Sequence, residues 1–322
     1  MIKKKLKIGI LFGGKSAEHE VSIVSAKNII KALNKNKYQI FPIKINKNGN
    51  FNLNALKKVD LIFPVLHGPF GEDGSMQGLL KILNVPFVGP SVLGSAVGMD
   101  KDVMKRLFKE AGIQIGKFVT IRAGEKISFK EISKKLGLPM FIKPANMGSS
   151  IGIHKVKNEK EFLAGIKDAF KYDTKIVIEE FIDGREIECA VLGNEKPKAS
   201  IPGEIISNAE FYSYNSKYID NKSVCEIPAK LSKKTKKEIQ NIAMKVFKTL
   251  NCEGMGRVDF FVQKNRKIIV NEINTIPGFT SISMYPKLWE ASGLSLPDLL
   301  DELINLAIER FKREQKLKTT VK

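Results

Sequence analysis

The sequence predicts an α/β protein of two or three compact units, with a parallel sheet at its N-terminal end. Three observations carry this. Apolar strand-like runs alternate with helical stretches over residues 7–83, the pattern of a parallel sheet with helices on both faces. The 322 residues are enough for two or three cores. Near the C-terminal end, RVDFFV (257–262) and KIIVNEIN (267–274) read as two strands joined by a short polar turn.

The elements follow in order. KIGILF (7–12) is a buried-type strand; Gly13-Gly14 turns the chain into a helix reaching about residue 34. Strands near 38–45 and 59–65 and a helix near 75–83 complete the alternation. A second unit opens at Met99-Asp100-Lys101, with helices over 101–111 and 128–136 and a strand over 117–120 between them. The strands FIKPA, SIGIHKV and KIVIEEF follow. From about residue 184 come long strands, a Tyr-rich loop over 208–224, a helix over 232–250, the hairpin and a helix over 297–315. The last residues, KLKTTVK, are expected to fray.

Composition narrows the class. Hydrophobic content of 43% and charged content of 27% fit a soluble globular protein. No apolar run approaches a membrane span. The opening MIKKKLKIGILFGG has too short an apolar stretch for a signal peptide. Three isolated cysteines, Cys189, Cys225 and Cys252, make no CxxC pair, so a reducing cytoplasm is expected. The net charge of +20 raises a nucleic-acid reading. The lysines are scattered over the whole chain, and no nucleic-acid-binding motif accompanies them, so that reading ranks below a solvated, lysine-rich surface.

The hairpin carries the chemistry. With Asn265-Arg266 as a two-residue turn, Asp259 lies opposite Glu272 and Arg257 opposite Asn274, all on one face. Phe260, Phe261, Ile269 and Ile273 are assigned to the other face. Opposed carboxylates repel, and a hard divalent cation with oxygen ligands compensates directly. Arg257 beside them suits a further anion such as a phosphate. A solvated strand face is the plainer reading and ranks below a phosphoryl-transfer site.

Three glycine-containing loops add to this. Gly9 to Ser16 matches GxxxxGK[ST] literally, but Ile10, Leu11 and Phe12 continue the strand, so a P-loop is rejected. Glu18, just beyond, suits a substrate ammonium or equally a helix dipole. The stretch His67 to Gly78 (HGPFGEDGSMQG) follows an apolar strand, where α/β sites form. His67 is a candidate ligand there; a hydrogen-bonded turn histidine explains it as well. Lys143 to Gly152 (KPANMGSSIG) can fold N–H groups over phosphates. The strand ending Glu179-Glu180-Phe181, with Glu186 just beyond, offers backbone to an adenine and a carboxylate to a ribose.

Together these pieces resemble the ATP-grasp superfamily and, within it, the D-alanine–D-alanine ligase family. The resemblance runs from GGKSAEHEVS through HGPFGEDGSMQG, MDK, KPANMGSSIG, IEEF, YSYNSKY (212–218) and GMGRVDFF to NEINTIPGFTSISM (271–284). Val270 and Met284 stand where leucine is commoner. It implies an α/β ATP-grasp fold: an N-terminal Rossmann-like parallel-sheet domain (1–98) and two α+β domains (99–183 and 184–322) sandwiching ATP. It implies ATP-dependent joining of two D-alanines through an acylphosphate, for peptidoglycan precursor synthesis, in a cytoplasmic homodimer.

Residue roles follow from the resemblance. Asp259, Glu272 and Asn274 would hold two Mg²⁺ (or Mn²⁺) ions. Lys101, Lys143 and Lys217 would neutralise phosphate, and Glu179, Phe181 and Glu186 would take the adenine and ribose ends. Arg257 and the Gly278 N–H would stabilise the oxyanion. Glu18 would bind the first D-alanine's ammonium and form a hydrogen-bonded group with Ser149 and Tyr218. Ser283 would bind the second D-alanine's carboxylate, with Met284 against that substrate. The stretch 208–224 would be a mobile lid. Another ATP-grasp carboxylate–amine ligase is the alternative, against which the GEDG loop and the SKY segment argue.

Overall fold

The computed structural model describes residues 5–207, 223–318 and 320. Lys217, Tyr218 and nearly all of the 208–224 stretch expected to form a lid lie outside the described residues.

Strands β1 (Leu6–Gly13), β2 (Tyr38–Ile45) and β3 (Leu61–Val65) form a parallel sheet in the order β2-β1-β3. Helices α1 (His19–Ala32), α2 (Ser75–Ile82) and α3 (Val92–Met99) accompany it. A 3₁₀ turn at Leu53–Lys58 and α3 were not expected from the sequence. The second unit runs α4 (Lys101–Glu110), β4 (Phe118–Arg122), α5 (Phe129–Leu136), β5 (Met140–Pro144), β6 (His154–Val156), α6 (Glu159–Ala169) and β7 (Lys175–Glu180). Its antiparallel sheet has the order β4-β7-β5-β6. The third sheet has the path β11-β10-β8-β12-β13, with β9 pairing β8. Its strands are β8 (Arg185–Gly193), β9 (Lys198–Ala199), β10 (Gly203–Ser207), β11 (Ser223–Glu226), β12 (Gly254–Val262) and β13 (Ile268–Asn274). Helix α7 (Lys233–Thr249) precedes β12; α8 (Met284–Ala291) and α9 (Leu296–Glu314) close the chain.

Each sheet has its own core. Phe162 and Ile166 of α6 pack on the second sheet, and Ile239, Val246 and Phe247 of α7 on the third. The first core is shared: Ile8, Ile10 and Phe63 pack with Tyr285, Leu299 and Leu303. Helix α9 therefore ties the end of the chain to the first sheet.

Three expectations need correction. The strand drawn over 150–156 is only three residues long, His154–Val156. Ser149 and Ser150 sit at φ of 48° and 61°, a left-handed pair that breaks a strand ladder. The hairpin also closes differently. Gln263 N donates to the Lys267 carbonyl at 3.0 Å, which leaves a three-residue connection with Arg266 at φ 66°. Asp259 still faces Glu272, but Phe260 faces Val270, so Asn271 is the extra residue of a β-bulge. Turn and bulge each shift the register by one, and the shifts cancel at Asp259–Glu272. The bulge also lets Val270 and Ile273, three apart, both enter the core under α7 on the third sheet. Phe260 is in that core, but Phe261 and its partner Ile269 lie on the opposite, site-facing side. Adjacent strand residues alternate, so Phe260 and Phe261 cannot share a face.

Candidate active site

Helix α4 is the first element that positions the site. Asp100 caps it, accepting from Asp102 N and Val103 N at 3.1 Å. Lys101, Met104, Lys105 and Phe108 form its buried stripe. Two of those four are lysines, and buried lysines need partners. Lys101 Nζ donates to the Met147 carbonyl at 2.6 Å and lies 3.8 Å from Glu272 Oε2. Lys105 Nζ lies 3.2 Å from Glu179 Oε1.

One cavity of about 150 Å³ is lined by Glu18, His67, Glu72, Arg257, Gly278 and Ser283, with Met284 on its wall. Glu18 stands at the N-cap of α1 and accepts a short hydrogen bond from Ser149 Oγ. The loops come close around it: a Cβ added at Gly68 would lie 3.0 Å from Glu18 Oε2, and one at Gly148 3.3 Å. Glu72 is buried and accepts from Gly68 N at 2.7 Å. Burial and the Glu18 charge push its carboxyl up to about 8. His67 is also buried, its Nε2 has no hydrogen-bond partner among the described residues, and burial lowers its pKa. Ser283 Oγ accepts from Thr280 N at 2.9 Å, directly before α8. Met284 is 4% exposed and belongs mainly to the first core.

A second cavity, of about 230 Å³, is lined by Phe141, Lys143, Phe181, Glu186, Asp259 and Phe261 among others. Phe141 and Phe181 have ring centroids 6.2 Å apart, and Lys155 Nζ lies 5.1 Å from the Phe181 ring centroid. Aromatic and charged groups in one cleft suit a nucleotide's flat base and its phosphates. Glu179 lines the same cavity. It is buried between Lys143, which donates to Oε2 at 2.9 Å, and Lys105. Burial raises its pKa, but the two ammonium groups outweigh that and hold it at about 2.

Lys101, Gly148, Ser149, Glu188 and Glu272 line both cavities. The two cavities thus meet at the loop 147–149 and the hairpin. There Arg257 grips Asp259 with Nε–Oδ1 and Nη2–Oδ2 hydrogen bonds of 2.7 Å each. Its Nε is 3.0 Å from Glu188 Oε2. Arg257 is thus one cation that answers the carboxylate repulsion, a role the sequence reading gave to a metal alone.

The donor set fits a hard metal all the same. Asp259, Glu272 and Asn274 present two carboxylates and an amide oxygen on one face, and Asn274 Oδ1 accepts from Ile276 N at 3.1 Å. Among the described residues no three His, Cys, Asp or Glu side chains are grouped to hold a metal. Mg²⁺ is usually bound by one or two carboxylates, with substrate phosphates completing the shell.

The described sequence candidates thus gather around two joined cavities. Reading the sequence missed Glu72, Glu188 and Lys105. Glu72 had a signal, its place in the GEDG loop. Lys105 had another, the four-residue spacing from Lys101. Glu188 alternates with Glu186 along β8 and was not singled out.

Residues 107–305 match the family described as "D-ala D-ala ligase C-terminus". Stretches 7–58 and 51–90 match "D-ala D-ala ligase N-terminus". A D-alanine–D-alanine ligase of Oceanobacillus iheyensis is 51% identical, over 98% of this chain and 99% of its own. The solved D-alanine–D-alanine ligase of Coxiella burnetii superposes with a TM-score of 0.88 at 42% identity, covering 98% of this chain and 97% of its own. That of Bacillus anthracis, complexed with ATP, gives a TM-score of 0.84 at 32% identity, covering 96% and 99%. The chain belongs to the D-alanine–D-alanine ligase family.

Proposed function

We propose that this protein joins two D-alanines to D-alanyl-D-alanine, converting ATP to ADP and phosphate, for peptidoglycan precursor synthesis. The observation that carries the reading is the meeting of the two cavities at Lys101, Gly148, Ser149 and Glu272. A carboxylate seated in the first cavity there meets the terminal phosphate of a nucleotide seated in the second.

The first D-alanine carboxylate attacks the γ-phosphate; the bond to the β-phosphate oxygen breaks, and ADP leaves. The second D-alanine amine then attacks the acyl carbon, phosphate departs, and the amine's surplus proton is released. Catalysis of the first step is mainly positioning and charge neutralisation. Glu18, fixed by Ser149, holds the first ammonium. Lys101, Lys143 and Lys217 face phosphate oxygens. Arg257 and the Gly278 N–H meet the oxyanion of the tetrahedral intermediate, and Ser283 holds the second carboxylate. Glu179, Phe181 and Glu186 take the adenine and ribose ends. Glu179 sets the place of Lys143. Asp259, Glu272 and Asn274 would hold two Mg²⁺ ions, which when bound supply positive charge between the phosphates. Met284 and His67 complete the walls of the amino-acid cavity, and Tyr218 would join Glu18 and Ser149, as the family resemblance implies.

The domain division 1–98, 99–183 and 184–322, a homodimeric state and a cytoplasmic location complete the reading. The test is chromatographic: ATP, Mg²⁺ and D-alanine should yield D-alanyl-D-alanine. ATP consumption without dipeptide would refute the proposal.

A further inference from the structure

Lys105 is buried, 2% exposed, and lines neither cavity. The steps above do not use it. Its ammonium nevertheless touches both walls of the nucleotide cleft. It lies 3.2 Å from Glu179 Oε1 on β7 of the second sheet. It also donates to the Asn271 carbonyl on β13 of the third sheet at 3.4 Å. Asn271 is the bulge residue, the one that brings Glu272 opposite Asp259. The other oxygen of Glu179 accepts from Lys143 at 2.9 Å. One buried cation thus connects the residue that turns Glu272 into the cleft with the carboxylate that holds Lys143.

We infer that Lys105 is a positioning residue that locks the Asn271 bulge and the Glu179–Lys143 pair into one register, setting the phosphate end of the nucleotide site. The inference rests on the ligase reading only in taking this cleft as the nucleotide site. A flexible side chain confined by two oxygens on different sheets fixes their separation, and the groups that meet phosphate are one residue or one hydrogen bond away. Burial also depresses the Lys105 pKa, opposed by Glu179.

The test is calorimetric binding of ADP with Mg²⁺ to wild type and Lys105→Met, beside steady-state kinetics. Removing a group that orients metal and phosphate ligands typically costs 10–100-fold. The expected result is MgADP affinity weakened about 10-fold or more, KM for ATP raised in step, and KM for D-alanine within about twofold. Should Lys105→Met not fold, Lys105→Arg keeps the charge but replaces a compact ammonium by a planar fork. It is expected to weaken MgADP in the same direction by a smaller factor. A folded variant that binds MgADP as wild type does, or whose D-alanine KM moves as far as its nucleotide affinity, overturns the inference. Failure of the ligase reading would show separately, as no dipeptide from wild type.

Discussion

Arg257 and Asp259, two residues apart on one strand, are joined by two parallel hydrogen bonds of 2.7 Å each, and Glu188 flanks the same guanidinium at 3.0 Å. Burial alone would lower the Arg257 pKa, but Asp259 and Glu188 hold it well above its ordinary value. Arg257→Met leaves two half-buried to buried carboxylates without their cation. Breaking a buried pair from one side costs about 3–5 kcal/mol. Urea unfolding of the apoprotein is expected to register that loss. Arg257→Met/Asp259→Asn should recover part of the stability and none of the activity. An apoprotein unaffected by Arg257→Met would remove the guanidinium from the charge balance.

Glu272→Gln should behave differently. It removes a charged metal ligand without opening the core, so turnover should fall by orders of magnitude. The fold loses one like charge opposite Asp259, which offsets the lost 3.8 Å ion pair with Lys101, and Lys101 keeps its hydrogen bond to the Met147 carbonyl. The thermal midpoint of the apoprotein is expected to stay level or rise. A variant with near-normal turnover at limiting Mg²⁺ would contradict the role given to Glu272.

Glu72 gives a pH signature. Its carboxyl, pushed up to about 8 by burial and Glu18, binds a proton in the folded state that the unfolded chain, near 4.5, has lost. Between those values the native state holds more protons, so stability falls as pH rises from about 4.5 through about 8. Glu72→Gln should flatten that part of the profile and raise apoprotein stability above pH 8, with little effect at pH 4. Denaturant midpoints from pH 4 to 9 test it; parallel profiles would refute it.

Tyr218 is the proposed selector of the acceptor. It is the tyrosine of the SKY segment, Ser216-Lys217-Tyr218. The Ser149–Glu18 hydrogen bond provides the polar pair its hydroxyl would join. At neutral pH the acceptor D-alanine presents mostly an ammonium and D-lactate a neutral hydroxyl, so an ordered polar group favours the first. Tyr218→Phe is expected to gain ester synthesis, most visibly at low pH, while dipeptide synthesis weakens. Products with both acceptors from pH 6 to 9 decide it, and an unchanged preference would acquit Tyr218.

The sequence made the alternating strands and helices of the first unit and the opposition of Asp259 and Glu272 legible, because apolar runs and strand alternation are local signals. It reached that opposition by a two-residue turn where a longer connection and a bulge at Asn271 exist. Bulges depend on which residues the core accepts, here Val270 and Ile273 together. Lys105 and Glu72 were invisible as buried groups, since a charged residue reads as exposed until its partners from distant segments are known. Helix α8 escaped notice because its eight residues carry Pro286 in the first turn. Its apolar Tyr285, Leu288 and Trp289 are too few for a periodicity argument.

The most direct measurement is the stoichiometry of ADP release in a coupled assay with Mg²⁺ and ATP, comparing D-alanine, L-alanine and no amino acid. The account predicts release only with D-alanine, one ADP for each D-alanyl-D-alanine formed. Equal release with L-alanine alone, or none with D-alanine, would contradict it.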